Sequence, residues 1–153
     1  MLKIWDWLGA AGFTRSDLIV GIGGGAVTDF AGFAAASWLR GLDWIAIPTT
    51  VAGAVDAAIG GKTAINSDYG KNLIGAFHSP IKVIIDLDWF STLTDRDFAA
   101  GLAEVVKCGF ISDGKILDLL RGKKTSEIRK DETLVKELVE RSVKVKGEVV
   151  SQD

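Results

Sequence analysis

The period of the apolar positions changes along the chain, and the change divides it in two. Between Lys3 and Ala11 the apolar residues Ile4, Trp7 and Leu8 fall at helical spacing, and Gly12 closes the segment. A short apolar run, Leu18 to Gly21, predicts a strand; Gly23-Gly24-Gly25 predicts a tight turn, and the small residues from Ala26 to Leu39 predict a helix. A strand over Trp44 to Ile47 and a small-residue helix from about Val51 to Ile59 follow. Two more apolar runs, Thr63 to Asn66 and Val83 to Ile85, flank a segment, Ser67 to Pro80, that reads as a loop. This spacing is that of an α/β fold whose parallel sheet is wound with right-handed crossovers.

From Arg96 onward the period is helical throughout. Phe98, Leu102, Val105 and Val106 share one face; Ile116, Leu117, Leu119 and Leu120 follow; Leu134, Leu138, Val139, Val143 and Val149 mark a long amphipathic segment. The expectation is a partial Rossmann-like parallel sheet over residues 1–93, then the first helices of an α-helical domain over 94–153, joined near Thr92 to Asp95. A dinucleotide fold ordinarily opens on a strand, whereas this chain opens on a helix, and its last helix runs to Val150-Ser151-Gln152-Asp153 without a cap. Both features lead us to expect the central piece of a longer protein.

Composition narrows the function classes. The formal net charge is −2, and the one basic cluster is Arg121-Gly122-Lys123-Lys124, so nucleic acid is not an expected partner. No apolar run approaches the roughly 20 residues of a membrane-spanning helix, and the single cysteine, Cys108, has no partner for an intrachain disulfide; a cytoplasmic protein is expected. Eighteen glycines stand against two prolines, and their concentration before Gly75 calls for a reason such as close ligand approach.

The glycine turn offers that reason. Gly21-Ile22-Gly23-Gly24-Gly25-Ala26 satisfies G-x-G-x-x-A between a strand and a helix, where the first helical N–H groups and the dipole behind them attract a phosphate. Close helix–sheet packing would require the same glycines. Asp43 falls about where a ribose-binding acid is sought, but reads as a surface-loop residue. Gly60-Gly61-Lys62-Thr63, with Asp56 just before it, and Gly70-Lys71-Asn72 each set a lysine beside glycine; such lysines suit a phosphorylated, polyhydroxylated ligand or are simply solvated. The pattern is not a P-loop, because the spacer is wrong.

Glu104 and Lys107 lie three apart and share a helix face. A surface ion pair accounts for them on spacing alone, and a metal ligand facing a cleft is the other reading of Glu104. A catalytic zinc wants three protein ligands, and the chain has one histidine, His78.

Several strings taken together, Gly23-Gly24-Gly25-Ala26-Val27-Thr28-Asp29, Gly32 to Gly41, Pro48-Thr49-Thr50, Val55 to Thr63, Gly70 to Phe77 and Ala103-Glu104-Val105-Val106-Lys107, resemble the 3-dehydroquinate synthase family in order and spacing over nearly the whole chain. The resemblance implies a carbon–oxygen lyase of the shikimate pathway. Such an enzyme cyclises 3-deoxy-arabino-heptulosonate 7-phosphate, a phosphorylated seven-carbon sugar acid, to 3-dehydroquinate with loss of phosphate, using NAD and a divalent metal, zinc or cobalt. It implies cofactor contacts for Gly24, Gly25, Asp29, Thr49, Thr50, Lys62, Lys71 and Thr92. It implies substrate contacts for Arg40, Asp56, Lys62, Asn72 and Lys107, with Asp56, Lys62 and Lys107 catalytic and Glu104 a metal ligand. Arg40 is similar to an arginine that the family extends across a dimer interface, which implies a homodimer. In the family the other metal ligands are histidines of the helical domain past the end of this chain, so the chain alone is expected to be inactive, and His78 is not promoted to a ligand. Two alternatives stay open: a related cyclase of the 2-epi-5-epi-valiolone or 2-deoxy-scyllo-inosose synthase type, and a non-catalytic nucleotide-binding module.

Overall fold

A computed structural model describes residues 1–152; Asp153, the last residue of the expected terminal helix, lies outside the described residues. The first half carries α1 (Leu2–Ala10), β1 (Leu18–Gly23), α2 (Gly25–Ser37) and β2 (Asp43–Pro48). A short π-helix (Gly53–Ala57) then leads to β3 (Lys62–Ser67), β4 (Gly70–Phe77) and β5 (Lys82–Val83). A 3-10 turn (Leu87–Thr92) leads into α3 (Asp95–Ile111), α4 (Gly114–Leu120), α5 (Thr125–Lys130) and α6 (Glu132–Gln152).

The fold is α/β, as expected, with a parallel three-stranded sheet in the order β1-β2-β5. Residues Leu18 to Gly23 pair in register with Asp43 to Pro48, so Asp43 opens a strand rather than sitting in a loop. The central strand alternates, with Trp44, Ala46 and Pro48 buried. Small residues let α2 lie close upon the sheet: a Cβ on Gly32 would come within 2.7 Å of the Trp44 ring.

Three further expectations are corrected. Ser67 to Pro80 is not a loop, because Gly70–Phe77 is a strand that pairs antiparallel with β3 in a second, two-stranded sheet. Thr63 Oγ1 donates to the Ala76 carbonyl and holds that register. The helix near Val51 is wound as a π segment, with the Ala58 N–H reaching the Gly53 carbonyl five residues back at 2.9 Å. The predicted Ala26 to Leu39 helix ends at Ser37, followed by a tight turn in which Leu39 and Arg40 are left-handed, φ 49° and 68°.

There are two cores. One gathers Ala31, Ala35, Leu42, Trp44, Ala46 and Ala58 between α2 and the parallel sheet. The other is helical, centred on Phe98, Val105, Ile116 and Leu138, and it takes in Val51, Ala54 and Val55 from the π segment. The segment that precedes the first lysine loop is thus anchored by the helical half of the molecule.

Candidate active site

Entry into α3 is fixed first. Thr94 Oγ1 accepts the Asp97 N–H at 3.1 Å as an N-cap, and Asp95 and Asp97 lie in the first turn, where the helix dipole favours acids. Arg129 of α5 stitches the approach from outside: its guanidinium donates to the carbonyls of Phe90, Ser91 and Leu93, pairs with Asp95 at 2.8 Å and lies over the Phe98 ring. Further along, Gly101 lets α3 touch the π segment, since a Cβ there would meet Val51 Cβ and, at 3.0 Å, the Ala52 amide nitrogen.

That contact brings Glu104 and Lys107 of α3 up to Asp56 of the π segment. Lys107 Nζ is 3.4 Å from Asp56 Oδ1, and Lys146 Nζ of α6 is 2.7 Å from the same oxygen. Lys107 also contacts Glu104 Oε2, which is sealed from solvent and has that ammonium as an ion-pair partner without any donor aligned on it as a hydrogen bond. Two carboxylates and two ammonium groups therefore meet at the seam between the halves. Burial pushes the Asp56 carboxyl up, but the Lys146 and Lys107 ammonium groups reverse this and hold it below the ordinary carboxylate range. Lys107 is held above the ordinary lysine range, chiefly by Glu104, against the opposing effect of burial and with help from Asp56.

A second group of site candidates lies on the hairpin side. Asp29, Lys62 and Asn72 line one hollow of about 380 Å³ with Thr63 and Leu73. Burial raises the Asp29 carboxyl, and the Asp56 charge adds to the rise, so the two groups sense each other electrostatically. Asn72 adopts φ 56°, and its N–H is held by the Asn66 side chain at 3.1 Å.

Gly24 caps α2, its carbonyl accepting from Val27 and Thr28, and Thr50 packs against it at 3.2 Å from where a Cβ would stand. Thr50 Oγ1 also accepts the Gly53 N–H at 3.0 Å, and Thr49 N–H donates to Gly23, so the glycine turn and the π segment are tied together. A Cβ on Gly25 would stand 3.0 Å from Ala57.

Other candidates stand apart from these two groups. Lys71 is exposed on β4 next to Asn72, Arg40 is exposed at the left-handed turn, and the Thr92 hydroxyl turns back onto the Trp89 carbonyl at 2.7 Å. His78 Nε2 lies 2.7 Å from the Leu42 carbonyl. Among the described residues no three His, Cys, Asp or Glu side chains gather as a metal site, so Glu104 is at most one ligand of a set and these residues alone do not fit a catalytic metal. Sequence reasoning missed Lys146: Lys144, Lys146 and their neighbours read as the polar face of an amphipathic helix, and the group lies ninety positions from Asp56.

Comparison with known proteins adds the following. The family model described as 3-dehydroquinate synthase N-terminal matches residues 1–100, and 3-dehydroquinate synthase C-terminal matches residues 101–153. The 3-dehydroquinate synthase of Streptomyces avermitilis is 56% identical over 149 residues, covering 97% of this chain and 41% of that protein. That of Thermobifida fusca is 55% identical over 150 residues, covering 98% and 41%. The chain thus spans about two-fifths of the length of these curated relatives. Among solved structures, 2-epi-5-epi-valiolone synthase from Streptomyces hygroscopicus subsp. jinggangensis 5008, with NAD+ and Zn2+ bound, superposes with a TM-score of 0.89 at 31% identity, over 99% of this chain and 43% of that one. A 2-deoxy-scyllo-inosose synthase complexed with carbaglucose-6-phosphate, NAD+ and Co2+ superposes with a TM-score of 0.87 at 29% identity, over 98% and 41%.

Proposed function

The chain belongs to the 3-dehydroquinate synthase family, and we propose that it carries the middle of that enzyme's site, which cyclises 3-deoxy-arabino-heptulosonate 7-phosphate to 3-dehydroquinate with loss of phosphate in the shikimate pathway. The observation that carries the reading is the seam: Asp56 from the segment matched as N-terminal meets Lys107 and Lys146 from the segment matched as C-terminal. A carboxylate set between two ammonium groups can accept from a sugar hydroxyl while the cations hold anionic parts of the same molecule.

In this reading Lys62 and Asn72 bind the phosphate in their hollow, with Arg40 contributed by the partner of a homodimer. Gly24, Gly25, Asp29, Thr49, Thr50, Lys71 and Thr92, with Lys62, surround NAD. Asp56 orients the hydroxyls, Lys107 and Lys146 neutralise the substrate's negative charge, and Glu104 supplies one ligand to a divalent metal completed by residues other than those described. Bound NAD would supply reversible oxidation of a hydroxyl, which acidifies the neighbouring C–H. The likeness to enzymes holding NAD+ with Zn2+ or Co2+ supports these cofactors; among the described residues no set of metal ligands gathers, and in this reading the chain by itself does not turn over. No helix of the described residues is long and apolar enough to cross a membrane, and we place the protein in the cytoplasm.

The test is a chimera in which this chain replaces its counterpart in the Streptomyces avermitilis relative. Phosphate release from 3-deoxy-arabino-heptulosonate 7-phosphate is expected. Lys62→Met or Glu104→Gln should lower kcat/KM by about 100-fold or more, a loss of roughly 3 kcal/mol of transition-state stabilisation; turnover at the parent rate in both variants refutes the assignment. The solved cyclases favour a second reading, ring closure of a different sugar phosphate, and the same assay with sedoheptulose 7-phosphate and glucose 6-phosphate separates the two.

A further inference from the structure

Arg129 takes no part in the charges of the seam, yet its side chain is only 22% exposed. The reason lies in the segment that leads from β5 into α3. Along the 3-10 turn the chain satisfies its own early carbonyls: the Ser91 and Thr92 hydroxyls donate back to Asp88 and Trp89, and the Leu93 N–H donates to Phe90. At Ser91 and Leu93 the donor comes from another element, because Arg129 Nη2 of α5 reaches those carbonyls at 3.0 and 2.5 Å. Nη1 of the same guanidinium donates to Asp95, in the first turn of α3, and its carbon lies 5.6 Å from the centre of the buried Phe98 ring.

One planar group therefore ties the last turn before α3 to the first turn of α3. Asp95 is 91% exposed, so its ion pair is screened, and the grip on two carbonyls with the ring contact carries the restraint. A lysine would keep the charge beside Asp95 but cannot present a fork. The consequence is felt further along. α3 is one helix from Asp95 to Ile111, and at Gly101 it rests on Val51. Lys107 stands about 9 Å beyond that contact, so a tilt of about 10° around it would displace Lys107 by about 1.5 Å. Its ammonium meets Asp56 at 3.4 Å, and a displacement of that size would break the contact.

We propose that Arg129 is a positioning residue for the seam: by tying Ser91 and Leu93 to the start of α3 it fixes the direction in which that helix leaves the linker, and so holds Lys107 at Asp56. It touches no reacting group in this role. The effect on turnover rests on the reading above that Lys107 meets the substrate, whereas the restraint on α3 is read from the contacts of Arg129 itself.

The test compares Arg129→Lys, which keeps the charge and loses the fork, with Asp95→Asn, which loses the ion pair and keeps the fork. In the whole chain, amide hydrogen exchange at Leu93, Asp97 and Phe98 should rise at least about tenfold in Arg129→Lys and stay within about twofold of the parent in Asp95→Asn. In the chimera described above, Arg129→Lys should lower kcat/KM about tenfold. In a chimera already carrying Lys107→Met the same change should cost less than about twofold, because the group it positions is gone. Raised exchange together with this loss of additivity supports the proposal. Exchange unchanged in Arg129→Lys, exchange raised equally by Asp95→Asn, or an Arg129→Lys loss as large without Lys107 as with it overturns the proposal. A chimera that does not turn over, or one in which Lys107→Met keeps the parent rate, refutes the functional reading instead. Exchange then decides the hold on α3 by itself, a rise confined to Arg129→Lys supporting it and any other result overturning it.

Discussion

Replacing Asp56 by Asn keeps the shape of the π segment and deletes the charge on which Lys107 and Lys146 converge. In the parent the stronger pair is Lys146, closer at 2.7 Å against 3.4 Å, with a side chain 24% exposed against 46% for Lys107. A third of the Asp56 side chain remains in solvent, which keeps the interaction well below that of a fully buried pair. Losing a charge-assisted bond and leaving two facing ammonium groups should therefore cost about 1.5 kcal/mol, or roughly 3–6 °C in Tm for a chain of this size. Because neighbouring lysines hold the folded-state carboxyl below its ordinary value, its contribution is present above about pH 4 and is lost as pH falls through the lower folded value. The difference between parent and variant should thus be full at pH 7 and shrink as pH falls below the ordinary carboxylate range. Urea unfolding of Asp56→Asn, Lys146→Met, Lys107→Met and the two double variants gives the couplings, expected near 1 kcal/mol with Lys146 and a few tenths with Lys107. A coupling to Lys107 at least as large as that to Lys146, or a stability gap that does not shrink as pH falls below the ordinary carboxylate range, would show that this geometry does not govern the seam.

Asp29→Asn should behave oppositely: burial and then Asp56 raise its carboxyl, so the charged form is a liability that grows as pH rises past the ordinary value, and the amide should leave stability at pH 7 unchanged or up to about 1 kcal/mol higher by urea titration. A clear loss would mean that Asp29 has a partner favouring its charged form. Gly101→Ala puts a methyl against Val51 and the Ala52 amide, so overpacking of about 2 kcal/mol should outweigh a helix-propensity gain of about 1 kcal/mol. Its Tm should fall by roughly 2–4 °C, and an equal or higher Tm would contradict the close approach of α3 to the π segment.

How much of this was legible depended on how local each signal is. The Gly23–Gly25 turn could be read because a strand period stops and a helix period starts around it, and the structure runs β1 into α2 there. The hairpin could not. Along β4 most side chains are exposed on both faces, so Gly70 to Phe77 shows no alternation of apolar and polar positions, and its strand character comes from pairing with β3. The π winding is invisible to a period count, since one wider turn among small residues leaves the apolar spacing almost unchanged. The glycine concentration was assigned to ligand approach. At Gly32 it serves the close approach of α2 to the sheet instead, against Trp44. The Glu104–Lys107 spacing was correctly compatible with an ion pair, and only the tertiary fold adds Asp56 and Lys146 to it.

The two sets of site charges belong to different cores. Val51, Ala54 and Val55 are buried among the helices, so Asp56, which projects from the same segment, is fixed relative to Lys107 and Lys146. Lys62 and Asn72 ride instead on the hairpin, where Thr63 is buried against α2 at Gly32. What joins them is Gly60-Gly61, at φ 107° and 67°, a conformation that a side chain would strain. Gly60 is overlain by Val150 of α6, 2.8 Å from where a Cβ would stand, and Gly61 is held through its carbonyl by His78. The separation of Lys62 from Asp56, and on the proposed reading that of a phosphate from the sugar hydroxyls, is thus set by a two-glycine joint clamped from the helical side by α6 and from the sheet side by the hairpin's end. Bulk at either glycine should therefore disturb both binding groups together, whereas changes at Asp56 or Lys62 should each disturb one.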